Sequence, residues 1–138
     1  MRILCCLIIS IIFCSCHETM EKRAAREARE YTERYCPTPV MNCTRTDSMT
    51  FDSSSLTFVY HCSITDNMDD KDFIMKNRQE IHDGLLQNIA NNTDITPYKK
   101  AGFSFSYIIR SDKKPDDVFL EITIGPDDYT KKDVGEKE

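Results

Sequence analysis

The cysteines are the residues of this sequence whose positions point most directly to chemistry. The chain holds seven, and four of them, Cys5, Cys6, Cys14 and Cys16, fall within the first sixteen residues. A thiol forms disulfides, binds metal ions or accepts a lipid as a thioether, and the surrounding residues decide among these. All four lie within one apolar segment or directly after it, so that segment indicates their role.

The apolar segment is a run over residues 3–13 that only Ser10 interrupts. At about eleven residues it is too short to cross a bilayer, which requires about 20. It has the length of the hydrophobic region of a signal peptide, with Arg2 as a minimal basic region in front of it. The sequence therefore predicts an exported protein.

The tetrad FCSC at the end of this run resembles a lipobox, the recognition site of bacterial lipoprotein signal peptidase. Phe13, Ser15 and Cys16 fit its bulky, small and obligatory cysteine positions. The resemblance implies cleavage after residue 15, a diacylglycerol thioether on Cys16 and a further acyl chain on the freed amine. Two or three acyl chains anchor a protein stably. The alternatives are an ordinary signal peptide with an incidental cysteine, or a short membrane anchor.

The chain that follows the predicted cleavage site has the size of one domain. Removal of residues 1–15 leaves 123 of the 138 residues. The formal net charge is −5, and it becomes −6 without Arg2. Nucleic-acid binding depends on clustered Lys and Arg, so we do not expect a nucleic-acid partner. No second apolar run is long enough to span a membrane.

Catalytic and metal-binding motifs are absent from the sequence. His17, His61 and His82 lie far apart, and there is no CxxC, HExxH, phosphate-binding glycine loop or nucleophile elbow. The acidic segment DNMDDKD lacks the glycine and the final glutamate of a calcium loop and fits the start of a helix better. We therefore expect no catalytic residue, no metal, no cofactor and no enzymatic activity.

Residues 17–35 (HETMEKRAAREAREYTERY) are rich in Ala, Glu and Arg, which favour a helix. One narrow apolar stripe recurs at steps of three and four: Met20, Ala24, Ala28, Tyr31 and Tyr35. We expect the helix to begin near the anchor and to dock its tyrosine end on the globular domain. The alternative is a solvated tether, because an alanine-lined stripe buries little surface. Pro37 and Pro39 end the helix.

Two alternating segments around SSS predict the first hairpin. If Asp52 faces Ser55 across a two-residue turn, one face carries the apolar residues and Cys62: Met49, Phe51, Leu56, Phe58, Tyr60, Cys62 and Ile64. A slip by one residue would mix the two faces, so the pattern specifies the register.

The same register bears on the cysteines that follow residue 16. In it Cys62 faces Arg45, so Cys43 and Cys62 become diagonal neighbours on the buried face, about 7–8 Å apart. This is slightly more than a disulfide spans, and a bulge would close the gap. Exported domains keep disulfides, and three cysteines allow one bridge. We predict Cys43–Cys62. The alternatives are a bridge that includes Cys36 and no bridge at all.

A long helix and a second hairpin complete the pattern. The helix covers about residues 71–91, with Asp69 or Asp70 as its cap and Gly84 allowing a close approach to the sheet. Its buried stripe is Ile74, Ile81, Leu85 and Ile89. Residues 103–109 and 118–124 then alternate as two strands, and the apolar face of the first carries Phe103, Phe105, Tyr107 and Ile109.

This order predicts an α+β fold: a two-layer sandwich with a mostly antiparallel four-stranded sheet, one long helix on its apolar face and a preceding N-terminal helix. The predicted divisions are a signal peptide (1–15), an anchor and tether helix (16–35), a globular domain (36–130) and a solvated tail (131–138).

Four segments support a resemblance to a known group: the lipobox, YCP after the charged helix, TDSMTFD before an aromatic strand, and GFSFSYIIRS late in the chain. On these segments the chain resembles the small uncharacterised lipoproteins of Bacteroidetes, a group with no established activity. Asp47-Ser48-Met49 also matches the O-glycosylation pattern of Bacteroidetes, which makes Ser48 a candidate modification site.

These observations predict a non-enzymatic binding or interaction module. It would be held at the bacterial outer membrane through the lipid anchor, on the periplasmic face or at the cell surface, with an envelope protein as its partner. The alternative is an inhibitor or immunity lipoprotein that blocks an envelope enzyme or toxin, a task suited to small α+β domains with exposed edge strands.

Overall fold

A computed structural model describes residues 17–132. Cys16, the predicted signal peptide and residues 133–138 lie outside the described residues. The helices are α1 (Met20–Tyr35), α2 (Lys71–Lys76), α3 (Arg78–Asn91), α4 (Thr96–Lys100) and α5 (Pro126–Lys132), and the strands are β1 (Thr44–Asp52), β2 (Thr57–Ile64), β3 (Ser104–Ser111) and β4 (Val118–Ile124). None of the described helices is both long enough and apolar enough to span a membrane.

The four strands form one sheet in the order β1-β2-β3-β4. The two hairpins are antiparallel, whereas β2 and β3 are parallel neighbours. A parallel pair requires a long crossover, and α2, α3 and α4 lie in the segment between these strands. The predicted α+β fold, with its N-terminal helix and mostly antiparallel four-stranded sheet, is confirmed. The parallel central pair was not specified by the sequence pattern.

The apolar face of the sheet and the helices share the main core. From the sheet, Met49, Phe58 and Phe105 belong to it, and from the helices and loops it includes Ala24, Ala28, Ile89, Tyr98 and Phe103. Phe105 is fully buried between aromatic neighbours. Burial of such a side chain contributes about 1.5–3 kcal/mol, so this aromatic layer is a main source of stability.

Helix α1 packs along β1 through its alanines. Ala24 and Ala28 are fully buried, whereas Tyr35 is 60% exposed. Glu27 strengthens the attachment, because it accepts a hydrogen bond from the buried Tyr98 hydroxyl at 2.6 Å and pairs with Arg23 at 2.7 Å. The docking surface is therefore broader than the expected contact at the tyrosine end.

The first hairpin differs from the predicted register by two residues. Asp52 faces Thr57 rather than Ser55. The Asp52 carboxylate accepts hydrogen bonds from the hydroxyls of Ser54 and Ser55, both at 2.7 Å, and so holds a longer turn. Because side chains alternate with a period of two, a shift of two residues leaves each side chain on its predicted face. The predicted apolar face is therefore correct in this part of the hairpin although the predicted register is not.

A bulge changes the faces in the first half of β1. The pairing steps from Ser48↔His61 to Thr46↔Cys62, which leaves Asp47 unpaired. Beyond the bulge Thr46, not Arg45, faces Cys62, so the predicted Cys62–Arg45 pairing is wrong. Arg45 instead bonds Asp47 at 2.6 Å, and Ser63 also donates to the Asp47 carboxylate.

The bulge removes the geometric reason for a Cys43–Cys62 disulfide. Cys43 lies just before β1 with φ of +57°, and its thiol approaches Oδ1 of Asn67 at 3.5 Å. Cys36, Cys43 and Cys62 are free thiols in the structure. The Cys43–Cys62 disulfide stays a prediction, but the strand register from which it was inferred is not the observed one.

The predicted long helix is divided into α2 and α3. The break falls at Asn77, whose side-chain amide and backbone N–H both donate to the carbonyl of Phe73. The predicted cap is present, because Asp70 accepts the Phe73 N–H at 3.0 Å. A Cβ built at Gly84 meets nothing within 4 Å, so the close-approach explanation for this glycine is wrong.

Helix α5 was not anticipated, and it extends into the first residues of the predicted tail. Its Tyr129 is buried and donates its hydroxyl to the carbonyls of Lys99 and Phe103 at 3.1 and 3.0 Å. A single tyrosine after Gly-Pro is too short a pattern to reveal such an attachment from sequence.

Candidate binding groove

An apolar groove of about 330 Å³ opens between the sheet and helices α2 and α3. We call it the tyrosine groove, and its lining residues are Thr44, Thr46, Cys62, Ile64, Met68, Ile74, Ile81, Leu85, Tyr107 and Ile109. None of these side chains is charged. The groove therefore suits an apolar occupant with a few hydrogen-bonding groups.

Tyr107 lines the groove and stacks on Tyr60. Tyr60 and Tyr107 face each other across the parallel β2–β3 pair and stack with ring centroids 4.8 Å apart and planes 10° apart. Both rings are partly buried. Within residues 17–132 the hydroxyls of Tyr31, Tyr60 and Tyr107 have no hydrogen-bond partner. Of the three tyrosines, Tyr107 is the one that lines the groove, so its hydroxyl is available to a bound molecule.

These tyrosines are neutral hydrogen-bonding groups. Burial, with Tyr31 and Cys62 nearby, raises the pKa of Tyr60 to about 12. Burial also raises the pKa of Tyr107, with Tyr60 as the next largest influence. At neutral pH both hydroxyls keep their proton and so donate as well as accept.

The surroundings of the Cys62 thiol in the groove disfavour its reactive thiolate form. Cys62 is buried, its Sγ lies 4.0 Å from Oγ1 of Thr46, and burial raises the pKa of the thiol. The thiolate is the nucleophilic form of cysteine, so a raised pKa argues for a packing role.

Exposed apolar residues are neighbours of groove-lining residues at two places. Phe73 (45% exposed) and Met75 border Ile74 on α2. At the other place Met41, which is 71% exposed, exchanges two backbone hydrogen bonds with Thr44. Large apolar side chains exposed around an apolar cleft are typical of interaction sites.

The structure does not bring the sequence-predicted site residues together. Ser48 is half-buried and lines a second depression, between α1 and β1, together with Thr32 and Thr50. Cys62 alone lies in the tyrosine groove, while Cys43 contacts Asn67. Cys16, the predicted lipidation site, lies outside the described residues.

His61 and His82 each contact one neighbouring polar side chain. His61 contacts Oγ1 of Thr50 at 3.2 Å, and burial lowers its pKa. His82 contacts the neighbouring Asp83 at 3.1 Å. Among residues 17–132 no set of three or more His, Cys, Asp and Glu side chains could hold a metal ion.

The sequence contained part of the signal for the groove. Tyr60 and Tyr107 were each assigned to an apolar strand face from local alternation. Their contact depends on β2 and β3 being parallel neighbours, which no local pattern specifies. The alternation of apolar and polar residues therefore predicts the face of each tyrosine but not that the two tyrosines meet at a binding groove.

Solved structures with a similar fold come from bacteria. They include a Pseudomonas aeruginosa protein described as secreted (TM-score 0.63, 9% identity, 82% of this chain and 99% of that chain). Two others are pilotins of type II secretion systems: EpsS of Vibrio vulnificus (TM-score 0.62, 11% identity, 79% and 90%) and AspS of Vibrio cholerae (TM-score 0.58, 15% identity, 78% and 90%). At these identities the similarity shows the fold alone.

No curated protein matches the sequence. A family model does match, over residues 19–120, and this range contains every residue that lines the tyrosine groove. The family is described as a domain of unknown function, DUF8479, and the chain belongs to it.

Proposed function

We propose that this chain is a lipid-anchored module of the bacterial outer membrane that binds an envelope protein in the tyrosine groove and catalyses no reaction. The anchor would be Cys16, and the relatives would be the small Bacteroidetes lipoproteins that the sequence resembles. The observation that supports binding is an uncharged groove lined by Tyr107, whose hydroxyl has no hydrogen-bond partner among residues 17–132, with exposed apolar residues next to two of its lining residues.

The exposed apolar residues favour a protein partner over a small molecule. A small ligand would fill the groove and leave Met41, Phe73 and Met75 in water. A protein segment seated in the groove would also cover these side chains, and each square ångström of apolar surface removed from water contributes about 25 cal/mol. The hydroxyl of Tyr107 would help to orient the partner through a hydrogen bond.

The chemistry of the groove supports binding without catalysis. A raised pKa keeps the thiol of Cys62 protonated, and raised pKa values keep Tyr60 and Tyr107 neutral. A nucleophile needs a nearby base or a lowered pKa. Among residues 17–132, those that line the groove include no histidine, carboxylate or amine to act as that base.

The fold similarity supports the same class of function as an analogy. EpsS and AspS are pilotins of type II secretion systems. We propose that this chain likewise serves a protein complex of the envelope. The similar fold supports this analogy, and the low identity means that the partner itself is not transferred.

Site-specific photo-crosslinking tests the proposal. A photoreactive amino acid replaces Tyr107 in the groove or, as the control, Thr50 on the exposed polar side of β1, in the full chain expressed in its native envelope. We expect an adduct with a protein from position 107 and none from position 50. Equal adducts from both positions would contradict a specific groove.

A matched pair of variants sharpens the test. Leu85→Glu places a charge in the groove, whereas Gln87→Glu places one on the exposed side of the same helix. We expect Leu85→Glu to abolish the adduct and Gln87→Glu to retain it, with circular dichroism confirming that both variants fold. Retention of the adduct in a folded Leu85→Glu variant would refute the proposed site.

A further inference from the structure

The sheet has two outer edges, and the first is closed. Along β1 the Met49 N–H donates to Oγ1 of Thr32 at 2.8 Å, and the same hydroxyl contacts the Met49 carbonyl at 2.9 Å. Nearer the start of β1, Thr46 and Thr38 exchange two hydrogen bonds of 3.0 and 2.9 Å. The edge groups that would pair with another strand are already bonded at these positions.

The second edge, on β4, is open. Among residues 17–132 the backbone of β4 pairs only with β3. Alternate residues of such a strand direct their N–H and C=O groups away from the sheet. Glu121 and Thr123 are exposed on this strand, while Ile122 and Ile124 are buried on its core side. The outer edge of β4 therefore offers unpaired donors and acceptors.

The open edge is strongly acidic. Residues 116–128 contain five carboxylates and no Lys or Arg. Asp117 pairs with Lys71 at 3.2 Å, and Asp128 accepts the Gly125 N–H at 2.8 Å. The remaining three are exposed and have no ion-pair partner among the described residues: Asp116, Glu121 and Asp127.

The negative charge along the outer edge of β4 determines which kind of strand can pair with it. Pairing β4 with β4 of a second copy would set carboxylates of the same segment against each other, and like charges on facing strands are destabilising. A cationic strand would reverse the sign of every one of these interactions. The acidic edge thus disfavours self-association and favours a basic partner.

We propose that the outer edge of β4 is a second binding surface, which takes an extended, Lys- or Arg-bearing segment of another protein as a fifth strand. Backbone hydrogen bonds to β4 supply affinity, and cationic side chains beside Glu121 and the flanking aspartates supply selectivity. The strand of seven residues spans about 23 Å, which sets the length of the segment. This inference does not depend on the tyrosine groove.

The test uses a capped peptide of alternating lysine and threonine, titrated into the ¹⁵N-labelled full chain in detergent micelles. We expect amide shifts and slowed hydrogen exchange confined to β4 and its flanks. Glu121→Lys should weaken binding about two- to thirtyfold, because a favourable cross-strand charge pair becomes an unfavourable one. Asp94→Lys makes the same charge change in the exposed turn after α3 and should weaken binding less than twofold.

A second peptide separates strand addition from plain charge attraction. The same sequence with every backbone nitrogen methylated keeps its charges and loses its N–H donors, so we expect it not to bind. The proposal is overturned if the methylated peptide binds as tightly as the parent peptide, or if the parent peptide does not bind at all. It is also overturned if Glu121→Lys and Asp94→Lys weaken binding equally, or if the amide shifts are centred away from β4.

Discussion

Thr32→Val tests the attachment of α1 to the sheet. The Thr32 hydroxyl accepts the Met49 N–H at 2.8 Å, and it lies 2.9 Å from the Met49 carbonyl and 3.1 Å from the Ala28 carbonyl. Valine keeps the branched shape and removes the hydroxyl. The variant therefore leaves the edge groups of Met49 without their partner.

The expected cost follows from the burial of Met49. A buried donor or acceptor left unpaired costs about 1–3 kcal/mol, and Met49 is only 9% exposed. Because Thr32 itself is half-buried and water reaches part of the site, we expect a loss of about 2–3 kcal/mol rather than the full sum for two groups. For a domain of this size that lowers the melting temperature by about 6–15 °C.

The assay is thermal and urea denaturation, followed by circular dichroism, of the chain that begins at His17. Thr130→Val is the matched control, because Thr130 also lies in a helix and donates to the carbonyl four residues earlier, at 2.6 Å, but is exposed. We expect the control to change stability by less than about 0.5 kcal/mol, as surface substitutions usually do. Thr32→Ser, which keeps the hydroxyl, should retain most of the stability. Equal stability of the two valine variants would refute the reasoning.

Three further predictions concern the anchor, the pH dependence of stability and an open position on α3. Cys16→Ala should abolish palmitate labelling and membrane retention, and a variant retained through detergent-free washes would contradict the lipid anchor. Burial alone would raise the pKa of Glu27, but hydrogen bonds from Tyr98 and Arg23 outweigh it and lower the pKa. This contribution to stability is present above the unfolded-state pKa of about 4.3 and is lost as pH falls through the folded-state pKa. Glu27→Gln should therefore be less stable than the parent at pH 7 in urea denaturation, and the difference should shrink in acid; a pH-independent difference would count against the interaction. Gly84→Ala should stabilise by about 0.5–1 kcal/mol, because the helix gains from alanine and the added Cβ meets nothing within 4 Å; a lowered melting temperature would show an unrecognised constraint.

Local alternation predicted which face each strand residue occupies, and most of those assignments hold. Phe58 and Phe105 lie in the core as expected. The assignments are robust because successive side chains of a strand point to opposite faces whatever strand lies next to them. The two-residue error in the hairpin register left them intact for the same reason.

The bulge at Asp47 is where local reasoning failed. Its side chain bonds Arg45 and Ser63, so the bulge is held by contacts between strands. The sequence pattern of one strand cannot predict contacts with another strand. The candidate disulfide depended on an unbroken register, and for that reason its geometric support was lost with the bulge.

The sequence by itself determined the fold class, the two hairpins, the start of the second helical segment and most of the core face, because each follows from residues close together in the chain. It also carries the prediction of an anchor at Cys16. Only the tertiary structure decided that β2 and β3 are parallel neighbours, which sets Tyr60 beside Tyr107 and leaves β1 closed and β4 open. The physical reason is that the order of strands depends on how the crossover helices bury their apolar faces, and the free energy of that burial is summed over residues far apart in the chain. The face on which a side chain lies, in contrast, depends only on its own strand.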